Sequence, residues 1–174
     1  MESLQKVLRA DFSQTPQSER DSAARDTIVV SSFACAGLVL QPIPTLEQAV
    51  LPVQVGMVLA IAHIHGEDLS RKRATEILMD IAAITGVSIV GRQVLSTVAK
   101  VLLPGLGGLL AAPATFSVTW ATGHAALHYL RAGGNVDRDR IRKIFEEERE
   151  RARSHYSEDR AREHRPTKED LSEK

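Results

Sequence analysis

Cysteine is nearly absent from the chain. Cys35 is the only one, which excludes an internal disulfide and fits a reducing compartment. Aromatic residues make up only 4% of the chain, so Ala, Val, Leu and Ile must build any core, which suits close helix packing better than a β-sandwich. Excess charge of either sign is also missing. Lys and Arg number 22 and so do Asp and Glu, and a net charge of zero supplies no global field for nucleic acid. No secretory signal peptide is expected, because the first apolar run begins at Thr27 behind Asp11, Glu19, Asp21 and Asp26, the wrong lead for one. No internal repeat is present. The most unusual lack is local: from Val101 to Leu130 there is no formally charged residue.

What is there reads as helix. The chain's 174 residues suffice for one domain with a real core. Residues 1–20 read as a flexible polar arm, in which Leu4, Val7 and Leu8 make a short amphipathic turn. A helix is predicted from about Ser18 to Leu40, its second half apolar on nearly every face and therefore surrounded. Pro42-Ile43-Pro44 ends it. Thr45 is an N-cap for a second helix that stops at Gly66, with Pro52 expected to kink it and Gln54 and Met57 on a flank. Ser70 caps a third, whose basic first turn of Arg71, Lys72 and Arg73 opposes the helix dipole. Asp80 within it is expected to pair with a neighbouring cation. Gly86 and Gly91 split the apolar run that follows.

Pro104-Gly105-Leu106-Gly107-Gly108 reads as the tip of an apolar helical hairpin. Its second arm, from about Leu109 to Arg131, is rich in Ala, Ser, Thr and Gly, a surface that lets backbones approach closely. Gly133 and Gly134 close it. Asp137 then caps a charged helix with one short apolar stripe of Ile141, Ile144 and Phe145. Pairs such as Asp139 with Lys143 and Glu147 with Arg151 support it. It is expected to dock by its first turns and project into water. Residues 154–174 read as a disordered polar tail, leaving 21–153 as a single helical domain.

Candidate chemistry is thin. His124 and His128 stand one helical turn apart on one face, the spacing of many metal-binding helices, and His63 and His65 end the preceding apolar helix. A third ligand of the usual kind is missing, so helix-end hydrogen bonding is the preferred role for all four. Cys35 lies in apolar sequence that keeps a thiol inert. The glycines around Pro104 lack the Lys and hydroxyl of a phosphate-binding loop. No cofactor and no catalytic residue is expected. Membrane insertion is the serious rival to a compact bundle, since a span needs about twenty apolar residues. Thr27–Leu46 is uncharged over that length but is interrupted by Gln41, Pro42 and Pro44. Val101–Leu130 is broken by Pro104, Gly107 and Pro113 and flanked by Arg92 and Lys100. A charge at the bilayer centre costs about 2.5–3.5 kcal/mol on insertion scales, which favours the bundle.

The order of these features resembles a known family. Pro42-Ile43-Pro44 is followed by a helix with Gln54 and Met57, by Ile64-His65-Gly66, and by an apolar helix. Then come Leu103-Pro104-Gly105-Leu106-Gly107, a small-residue helix ending at His128-Tyr129-Leu130, and a charged terminal helix. Over about Arg25 to Glu148 the chain resembles the bacterial GTPase-associated domain of unknown function that includes the YcjF-like inner-membrane proteins. The resemblance implies an all-α fold, a GTPase partner on a separate chain or self-association, and a cytoplasmic location associated with the inner membrane.

The expectation is therefore an all-α bundle of five to six helices acting as a non-enzymatic accessory or interaction module. Contact with a partner or a membrane is assigned to Pro104, Gly105, Leu106, Gly107, Gly108, Leu110, Ile141, Ile144 and Phe145. The alternatives are a membrane protein anchored by the 101–130 hairpin and, more weakly, a metal-dependent enzyme using His124 and His128.

Overall fold

The computed structural model describes residues 2–41, 49–87, 107–133 and 136–164. They form seven helices and no strand. These are α1 (Glu2–Arg9), α2 (Gln17–Leu40), α3 (Val50–Ile64), α4 (Arg71–Thr85), α5 (Gly107–Arg131), α6 (Arg138–Arg153) and α7 (Glu158–Glu163). The all-α bundle expected from the sequence is the architecture found. The Pro42–Gln48 break and the Pro104–Leu106 tip, like Gly91, Arg92 and Lys100, lie outside the described residues.

Local signals bound α4 and begin α6 where the sequence places them. The Ser70 hydroxyl accepts from the Arg73 amide at 3.2 Å, and the Asp137 carboxylate accepts from the Asp139 amide at 3.0 Å. Each satisfies a donor that the first helical turn leaves without an intrahelical partner. Gly86 ends α4 at φ +71°, a left-handed conformation that a side chain would disfavour. Pro52 does not kink α3. The described helix opens at Val50, so the ring sits in the first turn, where no intrahelical bond is lost.

The core is organised around α2 and α5. Every residue from Ser31 to Val39 is buried, so the apolar half of α2 is enclosed on all sides. Along α5, Ala112, Phe116, Ala121, Ala125 and Ala126 have no exposed surface, with α2, α3, α4 and α6 all packed against the helix. Small residues make this possible. At Gly123 an added Cβ would lie 2.7 Å from Ile28 Cγ1 and 3.1 Å from Met57 Sδ, so three helices meet at a point with room for a hydrogen only. The hydroxyls along these faces are turned inward onto their own helices. Ser32 donates to the Ile28 carbonyl at 2.7 Å, Thr122 to Val118 at 2.7 Å and Ser117 to Pro113 at 2.9 Å. Bonded back by one turn, they pack as small neutral groups.

Residues 2–9 and 158–163 are more ordered than their composition suggests. Residues 2–9 form α1 on the surface of α3, and Leu4, 6% exposed, reaches the Gly56 backbone. At the other end, α7 packs on α2 with Ala161 fully buried. In each case one or two apolar side chains suffice because a complementary surface already waits for them. Nor does α6 dock by its first turns alone: Ile141, Phe145 and Ala152 are all buried, so it lies against the bundle along its length.

Candidate functional site

The side chains assigned to partner contact divide into three groups. Pro104, Gly105 and Leu106 lie outside the described residues. Gly107, Gly108 and Leu110 form the first turn of α5, so the two glycines belong to the helix rather than to the turn before it. Ile141 and Phe145 are 0% and 2% exposed, and Ile144 is half-buried. The first two are committed to the chain's own core. An apolar stripe on a charged helix looks the same whether it meets another chain or its own.

The histidines are not brought together. His63 donates to the Ala10 carbonyl at 2.9 Å, holding the end of α1 against α3. His65 ends α3 with its ring buried and neither nitrogen hydrogen-bonded, its Nε2 4.0 Å from an Asp21 carboxylate oxygen. That carboxylate is engaged by Arg131 and accepts from Gln17 at 2.9 Å. Burial works against the Asp21 charge, but Arg131 together with Gln17 and His65 brings the pKa below the usual carboxylate value. His124 lies beside the Trp120 ring, 5.5 Å between centroids, with its Nε2 3.8 Å from Glu148. His128, a turn further on, has Arg140 and Arg131 as its charged neighbours instead. Shared helix face does not mean shared surroundings. Among the described residues no group of three or more His, Cys, Asp or Glu side chains is placed to hold a metal ion.

Polar residues mostly tie helices together. Trp120 Nε1 donates to Glu148 at 3.0 Å, and Arg151 pairs with the same carboxylate. Gln54 and Met57 are buried rather than on a flank, and Gln54 donates to the Thr119 hydroxyl at 3.0 Å. Asp80 accepts from the Tyr129 hydroxyl at 3.3 Å. Arg73, from the basic first turn of α4, pairs with Glu76 at 3.1 Å and reaches Tyr129. Arg142 donates twice to the Ile84 carbonyl, at 3.1 and 3.0 Å, a cation closing the C-terminal end of α4. On the surface of α6, Lys143 pairs with Glu147 at 3.9 Å and Glu150 with Arg153 at 2.9 Å. The local pairs follow from helical spacing, but the links between helices were not readable from the sequence. Most join residues far apart in the chain, and their partners are set by packing.

A cleft of about 380 Å³ opens where α1 turns into α2 beside the end of α3, with Arg9, Asp11, Arg20, His63 and Glu67 on its walls. Asp11, Arg20 and His63 on its walls are engaged locally. Arg20 donates to the carbonyls of Phe12, Ser13 and Thr15, and Asp11 accepts from the Ser13 amide at 2.8 Å. That bond holds the Asp11 carboxyl below its ordinary pKa. The cleft is the outer face of a braced turn.

Three histidines have pKa values lowered from 6.5, and in each burial is the chief cause. Arg131 and Arg20 add to it at His65, Arg151 and Arg25 at His124, and Arg140 and Arg131 at His128. Asp21 and Glu67 oppose it at His65, and Glu148 at His124. Below pH 6.5 the unfolded chain takes up protons that the folded chain refuses, so stability falls as the pH drops below that value. Urea midpoints should therefore decline from pH 7.5 to pH 5.5, and His65→Gln with His124→Gln should flatten the decline. A midpoint independent of pH over this interval would contradict the assignment.

The chain matches no protein-family model, no curated protein and no solved structure.

Proposed function

We propose that this protein is a non-enzymatic accessory module of a GTPase system, binding a GTPase on another chain or a second copy of itself. The observation that carries the reading is the order of motifs from Pro42-Ile43-Pro44 through Leu103-Pro104-Gly105-Leu106-Gly107 to His128-Tyr129-Leu130, which resembles that of the YcjF-like domain. The surrounding architecture supports it. Several polar side chains tie one helix to another, as Gln54, Glu148, Tyr129 and Arg142 do. Such a body presents a fixed outline to a partner. Its contact surface is the segment leading into α5, around Leu106 and Leu110, and its proposed location is the cytoplasm at the inner membrane.

Membrane anchoring is the second reading, and α2 favours it. Gln17–Leu40 is long and apolar enough to cross a bilayer, with a mean hydropathy of 1.5 over its best window. Yet 67% of that window is buried inside the bundle, as in the core helix of a soluble protein. The 101–130 hairpin is a weaker anchor for a similar reason: α5 is covered by protein on most faces.

Affinity capture from a bacterial host tests the first reading. A GTP-binding protein should be recovered with the wild-type chain and lost with Leu106→Asp/Leu110→Asp while far-UV circular dichroism is unchanged. Equal recovery with a folded variant would remove the segment from the account.

A further inference from the structure

Beneath the C-terminal residues lies a continuous aromatic floor. Phe33 of α2 meets Phe116 of α5 at 4.5 Å between ring centroids, and Phe116 meets Trp120 at 5.7 Å. Residues 155–164 cross this floor as a strap. The His155 ring stacks on Trp120 at 5.1 Å with 10° between planes, and Tyr156 meets Phe116 edge-on at 5.6 Å. The Arg160 guanidinium stands 4.3 Å over the centre of the Phe33 ring, and the His164 ring lies 5.6 Å from it. Tyr156, Arg160 and His164 recur every four residues, and Ala161 beside them is fully buried. The strap thus reads the floor as a ligand would, with a cation and rings on ring faces.

Its attachment is light. The ion pair of α7, Arg162 with Glu158 at 2.6 Å, is internal to the helix and does not bind it to the bundle. A helix of six residues is far below the roughly 12–15 at which isolated helices become marginal in water, so it is helical only while docked. Segments of this kind open without the rest of the protein.

We propose that the floor of Phe33, Phe116 and Trp120 is a docking site held closed by the strap. Its partner is a short helical segment with the strap's chemistry: an arginine flanked at four-residue intervals by aromatic or imidazole rings, with a small residue beside the arginine. Binding and strap release are one competition, so the site is autoinhibited in the isolated chain. Phe116 and Trp120 share α5 with Leu110, but neither Leu106 nor Leu110 is among the three floor residues, and the proposal does not rest on the GTPase reading.

Two measurements on the full chain test it. In hydrogen exchange of the wild type, the amides of Ala161 and His164, bonded to the Ser157 and Arg160 carbonyls, should exchange at least a hundredfold faster than those of Thr115–Leu130. Exchange of both groups at one rate would show that the strap opens only on global unfolding and would overturn the proposal. In the second, a labelled synthetic peptide of residues 154–164 is titrated against wild type and Arg160→Ala/His164→Ala by fluorescence anisotropy. The peptide should bind the variant at least tenfold more tightly, because its own strap no longer competes. The same peptide carrying Arg160→Ala should lose that advantage. Equal binding to wild type and a folded variant would overturn the proposal. The exchange measurement stands on its own if the variant fails to fold.

Discussion

Gly123→Ala should destabilise the protein by about 1–3 kcal/mol, the usual cost of forcing a methylene-sized group into a packed core, and Gly123→Leu should leave no cooperative unfolding transition. The direction is informative. Alanine is favoured over glycine inside a helix by about 0.8–1.0 kcal/mol, so at an open position the first substitution would stabilise. Here the new Cβ would fall 2.7 and 2.9 Å from the two γ carbons of Ile28 and 3.1 Å from Met57 Sδ. Ile28 is branched at Cβ and fully buried, so those atoms have no route of escape. Ile28→Ala removes both. The double variant should therefore be less destabilised than the sum of the singles, a coupling that chemical denaturation of the four proteins measures. Additivity within error would mean that α2 and α5 do not meet at Gly123.

The second large effect is expected at Phe116. Its ring has no exposed surface and touches Phe33, Trp120 and Tyr156. Phe116→Ala removes the middle of this aromatic row and leaves a cavity between α2 and α5, for which comparable core truncations cost about 3–5 kcal/mol. A domain of ordinary stability, about 5–15 kcal/mol, would lose a large fraction of it. The emission of Trp120, the only tryptophan, should shift to the red as its neighbour vanishes. Loss of less than about 1 kcal/mol with unchanged emission would contradict the packing described.

These two positions show what kind of structure the sequence makes legible. The small-residue character of α5 is written plainly between Ala111 and Ala126, and so is its need for close neighbours. Which neighbours is not written: that Gly123 opposes Ile28 rather than another helix follows from the three-dimensional closure of the bundle. Caps behave differently. Ser70, Gly86 and Asp137 act within a few residues of themselves, and their roles are readable from local chemistry.

The terminal segments mark the opposite limit. Composition makes residues 2–9 and 158–163 look unstructured, because neither carries enough apolar surface to order itself. Both are helical because α3 and α2 present complementary surfaces, to Leu4 and to Ala161 respectively. Pro52 is a similar case. Its effect depends on where the helix starts, and in a helix described from Val50 it is a harmless first-turn residue. The candidate sites were legible only as residue types. His124 and His128 share a face by spacing, yet one lies among Trp120 and Glu148 and the other beside Arg140.

The uncharged run of α5 ends at Leu130, and from Ala112 to Leu130 the helix packs as the core of a protein bundle. Alkaline-carbonate fractionation of the full chain expressed in a bacterial host tests it most directly. Release into the supernatant as a monodisperse helical protein, with Trp120 shielded from acrylamide, is the expected result. Retention in the stripped membrane pellet would contradict it, and would make lipid rather than protein the surroundings of the apolar segment.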